Sequence, residues 1–135
     1  PVPPYNRRTV IRRELSLRLA NSPGAVADVC ASLDGGRVRV QAMMLDAAGT
    51  LRLVVDNPVR AAGVLRDGRH AVTERDVIVT TVSSAPGGMA TALTLLRDAA
   101  VNVDYAWTAA TEAAGTTLVV IGVDDAVRAS MAAGL

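Results

Sequence analysis

The sequence predicts an α+β fold made from two copies of one β-α-β-β-α unit. Three observations carry this. First, the chain repeats itself at an offset of 63: Pro23-Gly24 matches Pro86-Gly87, Leu19 matches Val82, Leu33 matches Leu96, and Val38 and Val40 match Val101 and Val103. Second, Ala47-Ala48-Gly49-Thr50 recurs as Ala113-Ala114-Gly115-Thr116 at an offset of 66, so the second copy holds about three extra residues before its hairpin turn. Third, the apolar period alternates between that of a strand and that of a helix in the same order in both copies.

The elements follow in order. From Glu14 to Ala20, apolar Leu15, Leu17 and Leu19 alternate with Ser16 and Arg18, which is a strand with one buried face. Asn21-Ser22-Pro23-Gly24 comes next. Ser22 suits an N-cap, and Pro23 then falls at the first helical position, where its missing N–H costs nothing. Val26, Val29, Cys30 and Leu33 share one helical face, and Gly35-Gly36 stops the helix. Val38 to Leu45 and Leu51 to Val55 read as strands around a hairpin turn. A second helix, Val59 to Arg66, starts after Asn57-Pro58 and ends near Gly68, and His70 to Thr73 extends again. The second copy reads strand Val77 to Val82, turn Ser83 to Gly88, helix Met89 to Ala99, strands Val101 to Thr108 and Thr116 to Val123. Its last helix, Asp124 to Ala133, is capped by Asp124 and Asp125.

The second copy has no residues left for the strand that closes the first. The stretch Arg8-Thr9-Val10-Ile11-Arg12-Arg13 aligns with Ala71 to Asp76 at the same offset and is the expected replacement. It would cover an open sheet edge. The expected units are therefore residues 14–74, and residues 75–135 together with 8–13.

Composition excludes several classes. One cysteine, Cys30, rules out an intrachain disulfide framework or a Cys-based zinc site, and one histidine, His70, rules out a two-imidazole site. No metal site and no cofactor are expected. No apolar run is long enough for a membrane span and no secretory signal pattern opens the chain, so a cytoplasmic location is expected. All 14 basic residues are arginine and phenylalanine is absent, so alanine and valine are expected to fill most of the core. The net charge of +1 conceals +5 in residues 1–70 and −4 in residues 71–135. Arg7, Arg8, Arg12 and Arg13 form a basic cluster, but no aromatic is interleaved to stack bases, so nucleic-acid binding is not expected. An enzyme is not expected either. There is no cysteine–histidine pair near in sequence, no Walker-type phosphate loop and no metal-spaced cluster. Asp28 and Asp34 lie six residues apart and do not make a shared carboxylate site.

Two consecutive units of this order, each with Pro-Gly opening its first helix, resemble a tandem ACT domain. Leu19-Ala20-Asn21-Ser22-Pro23-Gly24-Ala25-Val26-Ala27-Asp28-Val29 is similar to that family's opening Asn-x-Pro-Gly turn and helix start. The second copy, Ser83-Ser84-Ala85-Pro86-Gly87-Gly88-Met89, departs from it by placing Ser84 at the Asn position. The resemblance spans about residues 8–135. It implies two ferredoxin-like βαββαβ units, each an antiparallel sheet with helices on one face. It implies non-catalytic sensing of a small molecule, most often an amino acid, at interfaces between units. It further implies a regulated enzyme or regulator on another chain, and a homodimer. The alternative is a structural or protein-interaction module of the same fold without a ligand.

The candidate ligand-binding residues are Asn21, Ser22, Pro23, Gly24 and Ala25 in the first copy, and Ser84, Pro86, Gly87, Gly88 and Met89 in the second. A helix N-terminus offers free N–H groups to a carboxylate, and glycine there lets a ligand approach the backbone. Asn21 and Ser84 could supply oxygens to an ammonium. Asn21 and Ser22 equally suit capping the helix. Asp56-Asn57 ends the third strand of copy one where copy two has Gly122-Val123, so an Asp56 contact would make the two sites unequal. Met43 and Met44 read as core filler, and Met89 as a pocket wall or core. Tyr105 and Trp107 share a sheet face and read as core or interface anchors or as a ligand-stacking pair. His70 reads as exposed, and Cys30 as buried.

Overall fold

The computed structural model describes residues 9–135, and Arg7 and Arg8 lie outside them. Ten elements follow in order: β1 (Thr9–Arg18), α1 (Ala25–Gly35), β2 (Val40–Leu45), β3 (Thr50–Val55), α2 (Pro58–Asp67), β4 (Thr73–Ser83), α3 (Gly88–Asp98), β5 (Tyr105–Ala110), β6 (Thr116–Gly122) and α4 (Ala126–Ala133). This is the expected α+β pattern of two ferredoxin-like βαββαβ units. The chain divides into two compact units, one of residues 13–75 and the other of residues 76–135 with 9–12.

Two strands are longer than the sequence pattern suggests. The basic stretch from Thr9 and the alternating stretch to Arg18 form one uninterrupted strand, β1. Likewise β4 runs unbroken from Thr73 to Ser83, where two strands are expected. Each strand therefore contributes residues to both units. In the first unit the order is β2-β3-β1-β4, with Leu15 opposite Leu53, Leu17 opposite Leu51 and Leu45 also opposite Leu51. In the second unit the order is β1-β4-β6-β5, with Ile78 opposite Ile121, and Trp107 opposite Val120. Thr9 and Thr80 share a 2.8 Å hydroxyl hydrogen bond there.

Alanine and valine make up most of the buried core, as expected, but the first cluster is leucine-rich: Leu15, Leu17, Leu51 and Leu53 of the sheet meet Leu33 and Leu65 of α1 and α2. The second cluster is built of smaller residues, with Val82, Val119 and Ile121 packed on Ala92, Ala126 and Ala129, and Ile11 of β1 against them. Composition counts leucines but does not say which lie inside. Cys30 is half-buried, with its Sγ 3.9 Å from Met43 Sδ, and Met43 itself is exposed; neither is core. His70 is half-buried, and Trp107 is buried.

The four helices among the described residues end alike. The N–H of Val38, His70, Val101 and Leu135 bonds the carbonyl five residues back, from Leu33, Leu65, Leu96 and Ser130, at 2.9–3.0 Å. The residue before each has a left-handed backbone: Arg37, Arg69, Ala100 and Gly134. The glycines expected to stop α1 and α2 thus stand one place before the left-handed position. At the other ends, Asn57 caps α2 and Asp125 caps α4 through side-chain oxygens, each accepting from the N–H three residues on; Asp124 makes no such bond. Among the described residues no helix is long and apolar enough to cross a membrane.

Candidate functional site

Both Pro-Gly pairs occupy type II turns. The Ala25 N–H bonds the Ser22 carbonyl at 3.4 Å and the Gly88 N–H bonds the Ala85 carbonyl at 3.1 Å. Gly24 has φ +85° and Gly87 φ +93°, the conformation a type II turn requires at its third residue. A side chain at either would cost roughly 1–2 kcal/mol. This corrects two expectations. Pro23 is the second residue of the turn and not the first of the helix, and Ser22 offers its carbonyl to the turn and not its hydroxyl to the helix. Helix α1 starts with Gly24 as its N-cap and no side-chain cap. The N–H groups of Val26 and Ala27 therefore have no partner within the helix, and the positive end of its dipole is unneutralised by a capping oxygen.

The first turn borders a cavity of about 270 Å³. Asn21, Ser22, Ala25 and Val26 line one side, with Leu19 and Ala20 at the strand end. The opposite wall is the β2–β3 hairpin, residues 45–49. Pro23 and Gly24 shape the turn without lining the cavity. The hairpin was legible as a turn in the sequence, but its place against the first turn was not, because it lies about 25 residues further along the chain.

Asp46 organises that wall. Its Oδ1 accepts from the N–H of Ala48 at 2.9 Å and of Thr50 at 3.0 Å, and Oδ2 accepts from Arg52 Nη1 at 3.2 Å. The Thr50 N–H is the main cause holding the Asp46 carboxyl below the usual carboxylate range, with the Arg52 guanidinium and the Ala48 N–H adding to it. Arg52 Nε also lies 3.8 Å from Oε1 of the buried Glu14, so it links the hairpin to β1. Arg18 Nη2 donates to the Ala48 carbonyl at 3.0 Å. Asp46 gave a sequence signal, an acid immediately before a hairpin turn, that the reading of the motif passed over.

The second turn is not equivalent. The N–H of Leu19 bonds Gly49 O and the N–H of Ser84 bonds Gly115 O, both at 2.8 Å. Ser84 thus stands where Leu19 does, and not at the Asn21 position. From there to the Pro-Gly pair the second copy is two residues shorter: Ala85 takes the place of Ser22, and Ala20 and Asn21 have no counterpart. Ser84 Oγ is 2.8 Å from Thr117 Oγ1, and Ser83 Oγ accepts from the Ala85 N–H. Gly88 is pressed on the Ser83 backbone, where an added Cβ would meet the carbonyl oxygen at 1.9 Å. Pro86 and Gly87 are exposed, and Met89 packs half-buried on the second core. Asp56 accepts from the Arg39 N–H at 3.0 Å, away from the first cavity. Arg13 pairs loosely with Glu74 at 3.9 Å and Arg12 is half-buried, so the part of the basic cluster described is built into β1.

Two βαββαβ units that exchange strands within one chain define a tandem ferredoxin-like protein. Residues 9–132 match the family model described as an ACT domain pair, and the chain belongs to that family. No curated protein shows significant similarity to it. Among solved structures it is similar to a protein of Bacteroides thetaiotaomicron, with 24% identity, TM-score 0.82, and coverage of 92% of this chain and 87% of that one. It is also similar to the regulatory subunit of aspartate kinase from Thermus thermophilus in its ligand-free form, with 16% identity, TM-score 0.70, and coverage of 95% and 94%. The corresponding subunit from Thermus flavus matches at 14% identity and TM-score 0.69, over 94% and 91%. At these identities the shared property is the fold.

Proposed function

We propose that this is a non-catalytic, cytoplasmic regulatory protein that binds an amino acid at the first Pro-Gly turn and acts, as a homodimer, on a separate enzyme or regulator chain. The cavity between that turn and the β2–β3 hairpin carries the proposal. Its size suits a ligand smaller than the drug-like molecules that fill pockets of about 300–1,000 Å³. The ligand carboxylate meets the N–H groups of Val26 and Ala27, where the α1 dipole favours negative charge. The Asn21 side-chain oxygen takes the ammonium. Ser22, Pro23, Gly24 and Ala25 hold the turn open to the backbone. The second turn, Ser84, Pro86, Gly87, Gly88 and Met89, offers a helix N-terminus whose neighbouring hydroxyls are already bonded, and binds more weakly. The similar chains from Thermus are regulatory subunits of aspartate kinase, which supports action on a catalytic partner.

Calorimetric titration with each of the twenty amino acids tests this. One of them binds, and at about 100 times its dissociation constant it adds roughly 2.7 kcal/mol of stability. Asn21→Ala weakens that binding about tenfold or more. No response from any amino acid overturns the ligand assignment and leaves the structural module as the reading. A monomeric mass by light scattering overturns the dimer.

A further inference from the structure

The second unit has a larger cavity away from its Pro-Gly turn. It opens between the end of α3 and the start of α4 and measures about 480 Å³, within the range of small-ligand sites. Comparison with the first unit shows how it arises. The two units align there through their caps: Asn57 and Asp125 each accept the N–H three residues on, and Arg37 and Ala100 each hold the left-handed position after a helix. Val64 then corresponds to Ala132, and Gly36 to Ala99.

In the first unit this place is filled. Val64 packs half-buried against the core, and its Cγ2 lies 2.6 Å from where a Cβ on Gly36 would stand. In the second unit Ala132 is exposed and its single methyl is too short to fill the gap, while Ala99 carries the Cβ that Gly36 lacks. The connection into the edge strand is also longer: six residues separate α3 from β5, against four between α1 and β2. The extra length brings Asn102 and Asp104 to the rim.

The charge reverses as well. Around this place the first unit carries Arg37, Arg39 and Arg60 against Asp56, whereas the second carries Asp104, Asp124 and Asp125 against Arg128. This place changes from a net +2 in the first unit to −2 in the second, and amino-acid binding at the first turn does not account for that. Ala99 and Ala100 bring the C-terminal, negative end of α3 to the same rim, opposite the N-terminal, positive end of α4, which the Asp125 carboxylate caps. The floor is apolar, from Val101, Val123 and Ala129. Asn102 Nδ2 donates to Asp104 Oδ1 at 3.3 Å and so steadies that carboxylate. Among the described residues no group of three or more His, Cys, Asp or Glu side chains is placed to hold a metal ion, so the rim does not suit a bare metal cation.

We propose that this cavity binds a small organic cation, an ammonium group on a short aliphatic body. The ammonium faces Asp104, Asp124 and the α3 C-terminus, and the aliphatic part lies on the alanine and valine floor.

The test is amide NMR of the full chain titrated with cadaverine and, separately, with valerate, an anion of similar length. Cadaverine shifts residues 99–104 and 124–132, and valerate does not. The double variant Ala99→Gly with Ala132→Val reproduces the Gly36–Val64 pair of the first unit and weakens cadaverine about tenfold or more, as does Asp124→Asn. Three results overturn the proposal: no shift with cadaverine at tens of millimolar, equal shifts with valerate, or cadaverine binding unchanged in a double variant whose amide spectrum remains that of the folded chain. Amino-acid binding at the first turn is followed separately at residues 19–26 and is unaffected by the double variant, so the two sites fail or stand independently.

Discussion

Arg37, Arg69 and Ala100 each hold a left-handed backbone, with φ 58°, 68° and 57°, at a helix end where glycine is the usual occupant. The conformation costs an L-residue roughly 1–2 kcal/mol, and glycine's unfolded-state entropy offsets only part of that. Arg69→Gly is therefore expected to raise stability by about 0.5–1 kcal/mol, read as a higher urea midpoint at unchanged slope. A lower midpoint would mean that the arginine side chain contributes more than the strain costs. Asp46 gives a pH-dependent case. Its carboxyl is held low in the folded protein, mainly by the Thr50 N–H. The carboxylate bonds therefore add stability above the ordinary Asp value of about 3.9, and this is lost as pH falls through the lower folded value. Carbon-detected NMR titration should place the Asp46 midpoint below that of a free aspartate. In Asp46→Asn the urea midpoint should fall less between neutral and acid pH than in the parent.

At the scale of elements, helices and turns were legible in the sequence, and strand lengths were not. The caps at Asn57 and Asp125, the Pro-Gly turns and the hairpin at Gly49 all follow from local steric and hydrogen-bond rules. The continuity of β1 from Thr9 to Arg18 does not, because each half of that strand belongs to a different unit and neither half specifies the other. Removing residues 1–12 takes Ile11 from the second core and Thr9 from its bond with Thr80. It should cost at least about 2 kcal/mol and speed amide exchange in residues 76–135. An unchanged urea midpoint would count against the strand exchange. The turn into α3 gives a sharper test. Gly88→Ala sets a Cβ on the Ser83 carbonyl and should destabilise by at least about 2 kcal/mol. Ala25→Gly at the matching place in the first copy should cost only about 1 kcal/mol, the helix propensity difference.

For the whole molecule, the two units share topology while differing in detail. The first turn is two residues longer and opens on a cavity with the hairpin; the second is short, with its hydroxyls already engaged. Calorimetry should accordingly give one tight amino-acid site per chain. A stoichiometry of two equal sites would show that the extra Ala20 and Asn21 do not matter.

By itself the sequence determined the repeat, the order of elements and the two Pro-Gly turns, since periodicity and turn chemistry act between near neighbours, and the ferredoxin-like class followed from the family resemblance those turns carry. Only the tertiary structure decided that Ser84 stands in the place of Leu19, that the β2–β3 hairpin walls the first turn, and that Ala132 leaves open what Val64 fills. Those outcomes depend on which distant segments pack together, and a repeat offset read along the chain carries no information about the space between side chains.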